Sequence, residues 1–216
     1  MKNELFKRIL SSIILITIAF FFIIKGSLIF IFFISLCFLI TSYEWHKMSQ
    51  KKAYYLPGLL FLILSFYSTY VIRTDPNSSL EYFIIILLIC ISTDVGGYIF
   101  GNIFKGPKLT KISPKKTYSG SIGGYLLSIL FLNLFFNSSY YLYPKEMTSN
   151  IFIFILLIST VSQLGDIIIS YFKRLSKIKD TGKLIPGHGG LLDRIDGMIF
   201  ATPFFYLTEL TGFLNV

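Results

Sequence analysis

Between residues 170 and 196 a chain dominated by Ile, Leu and Phe turns polar, reading SYFKRLSKIKDTGKLIPGHGGLLDRID. The segment sets Lys173, Arg174, Lys177, Lys179 and Lys183 beside Asp180, Asp193, Asp196 and His188. Acids, bases and Gly-rich turns in one run are the materials of a phosphate-handling site. Carboxylates hold a hard cation, ammonium and guanidinium groups neutralise phosphate oxygens, and glycines let backbone N–H groups approach closely. Two more acids lie inside apolar runs, Asp94 in LLICISTDVGGYIFG and Asp166 in LLISTVSQLGDIIISYFKR. A charge inside hydrocarbon costs several kcal/mol, so such a side chain faces a polar cavity or a partner.

Helical spacing connects these residues. Asp166, Ser170 and Lys173 fall at i, i+4 and i+7, on one face, and Gln163 extends that stripe. Asp94, Gly97, Tyr98 and Gly101 form a comparable stripe, whose glycines admit another backbone or a ligand. Asp193, Asp196 and Gly197 follow at i, i+3 and i+4. Several carboxylates are therefore expected to converge near one rim of the bilayer, where they would repel unless a cation held them. Mg2+ is the expected ion, because it takes one or two carboxylates and fills its other positions with water and substrate phosphate. This chemistry is phosphoryl or nucleotidyl transfer, and by itself it names no substrate.

Smaller signals divide. His188 in PGHGG has no second His or Cys nearby, so zinc is not expected. A turn histidine without chemistry and a turn lying against phosphate explain it equally well. The run GPKLTKISPKKTYSG carries five lysines with Lys105 and no Walker-type GxxxxGK[ST] pattern. Either a solvated basic loop or a nucleotide-phosphate clamp would explain it, and the clamp is the favoured reading. Trp45 and His46 read as interfacial anchors. Cys37 and Cys90 lie in apolar runs and read as packing residues.

The elements that must position these groups are membrane helices. The chain of 216 residues is 54% hydrophobic and only 14% charged, against roughly 25% charged in soluble domains. The fold class expected is all-α, a polytopic integral membrane protein with about seven spans near 9–24, 27–42, 56–72, 81–104, 120–137, 151–172 and 197–214. The first span reads as an uncleaved helix, and the first two are short enough to form a re-entrant hairpin instead. With the N-terminus cytoplasmic, every basic residue except Lys25, Arg73 and Lys145 falls on the cytoplasmic side. The net charge of +9 is thus mostly topology, not a nucleic-acid footprint. Residues 1–80 read as N-terminal helices, and residues 81–216 as the catalytic part with cytoplasmic loops at 105–119 and 173–196.

Residues 170–196 resemble the C-terminal signature of the phosphatidate cytidylyltransferase (CDP-diacylglycerol synthase) family. Ser170, Lys173, Arg174, Lys179, Asp180, Pro186, His188, Gly189, Gly190, Asp193, Arg194 and Asp196 keep every spacing of that pattern. Upstream, Asp94, Tyr98 and Gly101 followed by ISPKKT at residues 112–117 are similar to the family's second block, and Gln163–Asp166 adds to the match. Two departures stand out, Ser119 in place of Glu and Asn102 in place of a basic residue. The resemblance implies transfer of CMP from CTP to phosphatidate at the cytoplasmic face of the inner membrane. It further implies Asp166 and Asp193, then Asp196 and Asp94, as Mg2+ ligands. Lys173 and Arg174, with Asp166 and Asp193, are the implied catalytic groups. Lys115, Lys116, Thr117, Ser170, Lys179, Asp180, His188, Gly189, Gly190 and Arg194 are the implied substrate contacts. Oligomeric state is open, a homodimer being one option. Rival readings are a CTP-dependent lipid kinase or cytidylyltransferase with another acceptor, and an ion-coupled transporter, for which no internal repeat is seen.

Overall fold

The computed structural model describes residues 17–74, 79–138, 148–185 and 189–212. His188 and Lys145 therefore lie outside the described residues. The described chain begins in helix α1 (residues 17–25) and continues through α2 (Ser27–Ser49), α3 (Tyr55–Thr74), α4 (Ser79–Phe104), α5 (Tyr118–Ser138), α6 (Ser149–Leu175), α7 (Leu192–Ile195) and α8 (Met198–Leu210). Among the described residues there are isolated β-bridges and no strands.

Among the described residues five helices, α2 to α6, are long and apolar enough to cross a membrane. The chain is an all-α integral membrane protein. The expected span at 27–42 is longer than its apolar run, since α2 continues through Glu44 and His46 to Ser49. Polar residues do not stop these helices because many of their hydroxyls find a carbonyl one turn back. Thr41 donates to Cys37 O at 2.9 Å, Ser65 to Phe61 O at 2.8 Å and Thr160 to Leu156 O at 2.7 Å. The last expected span, 197–214, corresponds to the 13-residue α8 with Pro203 inside it, and residues 213–216 are not described.

Contacts divide the chain into two units, with the cut inside α6 after Tyr171. The first comprises residues up to Leu80 together with Phe172–Asp196, so the polar loop groups with the N-terminal helices. Here Trp45 is buried, donates from Nε1 to Tyr55 O at 3.0 Å and meets Phe172 edge-on at 5.3 Å. It is a packing residue, not the surface anchor its aromatic character predicts. Gly26, at φ 63°, ends α1, whose Ile23 carbonyl accepts from Arg73 Nε and Nη2 at 3.0 and 2.8 Å.

The second unit comprises Glu81–Tyr171 and Gly197–Val216. Its α6 buries Ile151, Ile155, Ile158 and Ser162 along one face, and Phe154 packs edge-on against Phe205 of α8 at 5.6 Å. Helices α4 and α5 approach through glycines. A Cβ on Gly120 would stand 2.7 Å from Gly97 O, and one on Gly96 would stand 2.9 Å from Gly124 Cα. The Gly97 and Gly101 stripe thus faces α5, while Tyr98 is exposed.

Candidate functional site

In the first unit, the site is built on the C-terminal turn of α6 and the loop that follows. Lys173 Nζ pairs with Asp193 Oδ1 at 2.8 Å, and both side chains are nearly enclosed. Asp193 Oδ2 accepts from Thr181 N at 2.8 Å, Thr181 Oγ1 at 3.0 Å and Gly190 N at 3.0 Å. Burial alone would raise the Asp193 carboxyl. The hydrogen bond and charge of Lys173, with the Gly190 and Thr181 N–H groups, outweigh it and hold the carboxyl below its ordinary range. Gly189 supplies the turn, at φ 89°, a backbone conformation that side chains disfavour. The chain leaves α6 through Lys177 at φ 57°, and Arg174 Nη1 donates to Ile178 O at 3.0 Å.

A residue without a role in the sequence reading completes this cluster. Glu44 of α2 is 4% exposed. Its Oε1 accepts from Leu191 N at 2.9 Å, and its Oε2 from Leu192 N at 2.8 Å and Thr181 Oγ1 at 3.1 Å. The available signal was an isolated acid at the end of an apolar run beside Trp45.

In the second unit, Lys116 Nζ pairs with Asp166 Oδ2 at 2.5 Å and also reaches Gln163 O at 3.4 Å. Ser170 Oγ donates to Asp166 Oδ1 at 3.3 Å, the expected i, i+4 contact. Ser121 donates to Gln163 Oε1, whose Nε2 reaches Ser159 Oγ at 3.4 Å. The lysine is delivered by a closed loop, not a free one. Leu109 N donates to Lys116 O at 2.8 Å, and Tyr118 N to Pro107 O at 3.1 Å. Thr117 Oγ1 accepts from Gly120 N at 3.1 Å, so this residue is the N-cap of α5. Ser119 donates to Lys105 O at 2.5 Å, tying the start of the loop to that cap.

Among the described residues no three His, Cys, Asp or Glu side chains gather around a common point. Asp166 and Asp193 each hold a lysine, Asp196 is buried and Asp94 is exposed on α4. Lys115, Arg174, Lys179, Asp180 and Arg194 are exposed side chains. For Mg2+, Asp166 fits better than Asp193: its side chain is 28% exposed, and among the described residues only Lys116 and Ser170 lie on its oxygens. Asp193 fits less readily, since its Oδ2 already accepts from two backbone N–H groups and lies within reach of Thr181 Oγ1, and its Oδ1 faces Lys173.

Comparison with known proteins locates this chain. The model of the Cytidylyltransferase family matches residues 6–74 and 58–211. A protein named phosphatidate cytidylyltransferase from Rickettsia bellii (strain RML369-C) is 35% identical over 212 residues, covering 95% of this chain and 90% of that protein. Proteins of the same name from Brucella suis biovar 1 and Staphylococcus haemolyticus (strain JCSC1435) are also similar. The first is 32% identical over 185 residues, 85% of this chain and 66% of its own length. The second is 35% identical over 180 residues, 79% of this chain and 65% of its own length.

Proposed function

The chain belongs to the cytidylyltransferase family, and on that premise we propose that it transfers CMP from CTP to phosphatidate, forming CDP-diacylglycerol and pyrophosphate. The observation that carries the reading is the Lys173–Asp193 pair at 2.8 Å, which joins the last turn of α6 to the far end of the motif-bearing segment, with Asp193 ringed by backbone donors. A phosphate oxygen of phosphatidate attacks the α-phosphorus of CTP in line. The new P–O bond forms as the bond to the pyrophosphate oxygen breaks.

The phosphatidate headgroup is ionised near neutral pH, so the protein need not abstract a proton. Its residues bind, orient and neutralise. Lys173 and Lys116 are each pre-set by a carboxylate, and phosphate oxygens take up the remaining N–H positions of the ammonium groups. Arg174, Lys115, Lys179 and Arg194 supply further positive charge at exposed positions. Thr117 acts through the α5 cap, placing Lys116.

Asp166, and separately Asp193 through Oδ1, are the proposed Mg2+ ligands. When bound, the ion neutralises triphosphate charge and favours pyrophosphate departure. The proposed orientation, with both loops in the cytoplasm of an inner membrane, follows the distribution of basic residues. The test is acceptor choice. Purified protein given CTP and Mg2+ should release pyrophosphate with phosphatidate, and not with a polyprenol or without lipid. Release with the polyprenol alone would assign a different acceptor.

A further inference from the structure

The reaction as derived makes no use of Glu44, although its carboxylate is among the most enclosed charges of its unit. An acid at a helix end could face solvent. This one instead spreads both oxygens over Leu191 N, Leu192 N and Thr181 Oγ1, 147, 148 and 137 residues away in sequence. Glycines close over it, since a Cβ on Gly182 or Gly190 would stand 2.6 Å from Oε1. The backbone that Glu44 grips is the backbone that grips Asp193. Thr181 and Gly190 donate to Asp193, and Leu191 and Leu192 continue the chain from Gly190 into α7. Thr181 Oγ1 lies within reach of both carboxylates, and its single hydrogen serves one at a time.

We infer that Glu44 is a positioning residue for nucleotidyl transfer: from α2 it clamps the Thr181 and Leu191–Leu192 backbone and so fixes Asp193 and its partner Lys173 in register. The inference rests on the proposed reaction for its kinetic readout. Glu44→Gln keeps the shape but turns an amide N–H2 toward backbone donors, so one side of the clamp opens. Expected are a kcat per folded molecule at least tenfold lower and KM for CTP within threefold of wild type. Hydrogen exchange at Leu191 and Leu192 should be at least tenfold faster. A kcat within twofold of wild type, or unchanged exchange at these amides, overturns the inference. If the wild-type protein shows no transfer, the exchange readout still decides the clamp, and the reaction alone falls. Should Glu44→Gln not fold, Glu44→Asp replaces it. That shorter acid should give a kcat between wild type and one-tenth, with faster exchange at the same amides. Wild-type values for it overturn the inference.

Discussion

Two aspartates hold two lysines, and their enclosure separates what each substitution should do. The Lys116–Asp166 pair is about a quarter exposed, so its loss should cost less than about 1 kcal/mol of stability. Asp166→Asn is therefore expected to lower Mg2+-dependent transfer at least a hundredfold while its thermal midpoint in detergent stays within a few degrees. Asp193 is different. Asn at that position leaves Lys173 enclosed without its counter-charge, which costs about 3–5 kcal/mol, so activity and thermal midpoint should both fall. Because the folded-state carboxyl is held low, its contribution is complete above the unfolded pKa of about 3.9 and is lost as pH falls through the folded value. Thermal midpoints measured from pH 6 downward should therefore fall more steeply below about pH 4 in wild type than in Asp193→Asn. Spacing alone brought out the Asp166–Ser170 contact, because the two share one turn of α6, whereas it put Lys173 on that same face and did not bring out its pairing with Asp193 twenty residues on. Glu44 escaped because its donors lie more than a hundred residues away and nothing local marks the pairing.

At the level of elements, apolar runs showed where helices lie but not where they end. The predicted span at 27–42 stopped at the first polar residues, whereas α2 runs to Ser49 because Ser and Thr hydroxyls bond within the helix and Glu44 bonds outside it. The glycines of α4 were readable as a close-approach surface, and their partner is the glycine stripe of α5. Gly96→Val should accordingly overpack this contact, costing about 1–3 kcal/mol and lowering the thermal midpoint. Thr117→Ala removes the α5 N-cap and should cost about 1 kcal/mol, with transfer falling as Lys116 loses its register. In sequence the polar loop reads as material for a phosphate-handling site, with no sign of what holds its backbone. Its described residues Thr181, Gly190 and Leu192 are held on two carboxylates, Glu44 and Asp193, through backbone donors that composition cannot reveal.

Across the whole molecule, exposed apolar stripes mark the lipid-facing surface, such as Leu28, Phe32, Leu36 and Leu39 on α2 and Ile122, Leu126, Leu130 and Leu134 on α5. The proposed orientation puts Lys52 and Lys177 on the cytoplasmic side and Asn150 on the other. In a background lacking Cys37 and Cys90, a cysteine replacing Asn150 should react with an impermeant maleimide on intact cells. Cysteines replacing Lys52 or Lys177 should react only after lysis. The reverse pattern would invert the topology. The central claim is the reaction itself. Purified wild-type protein, incubated with CTP, phosphatidate and Mg2+, should form CDP-diacylglycerol and pyrophosphate in equal amounts, and chelating the cation should stop both. Folded protein that forms no CDP-diacylglycerol under these conditions would contradict the account.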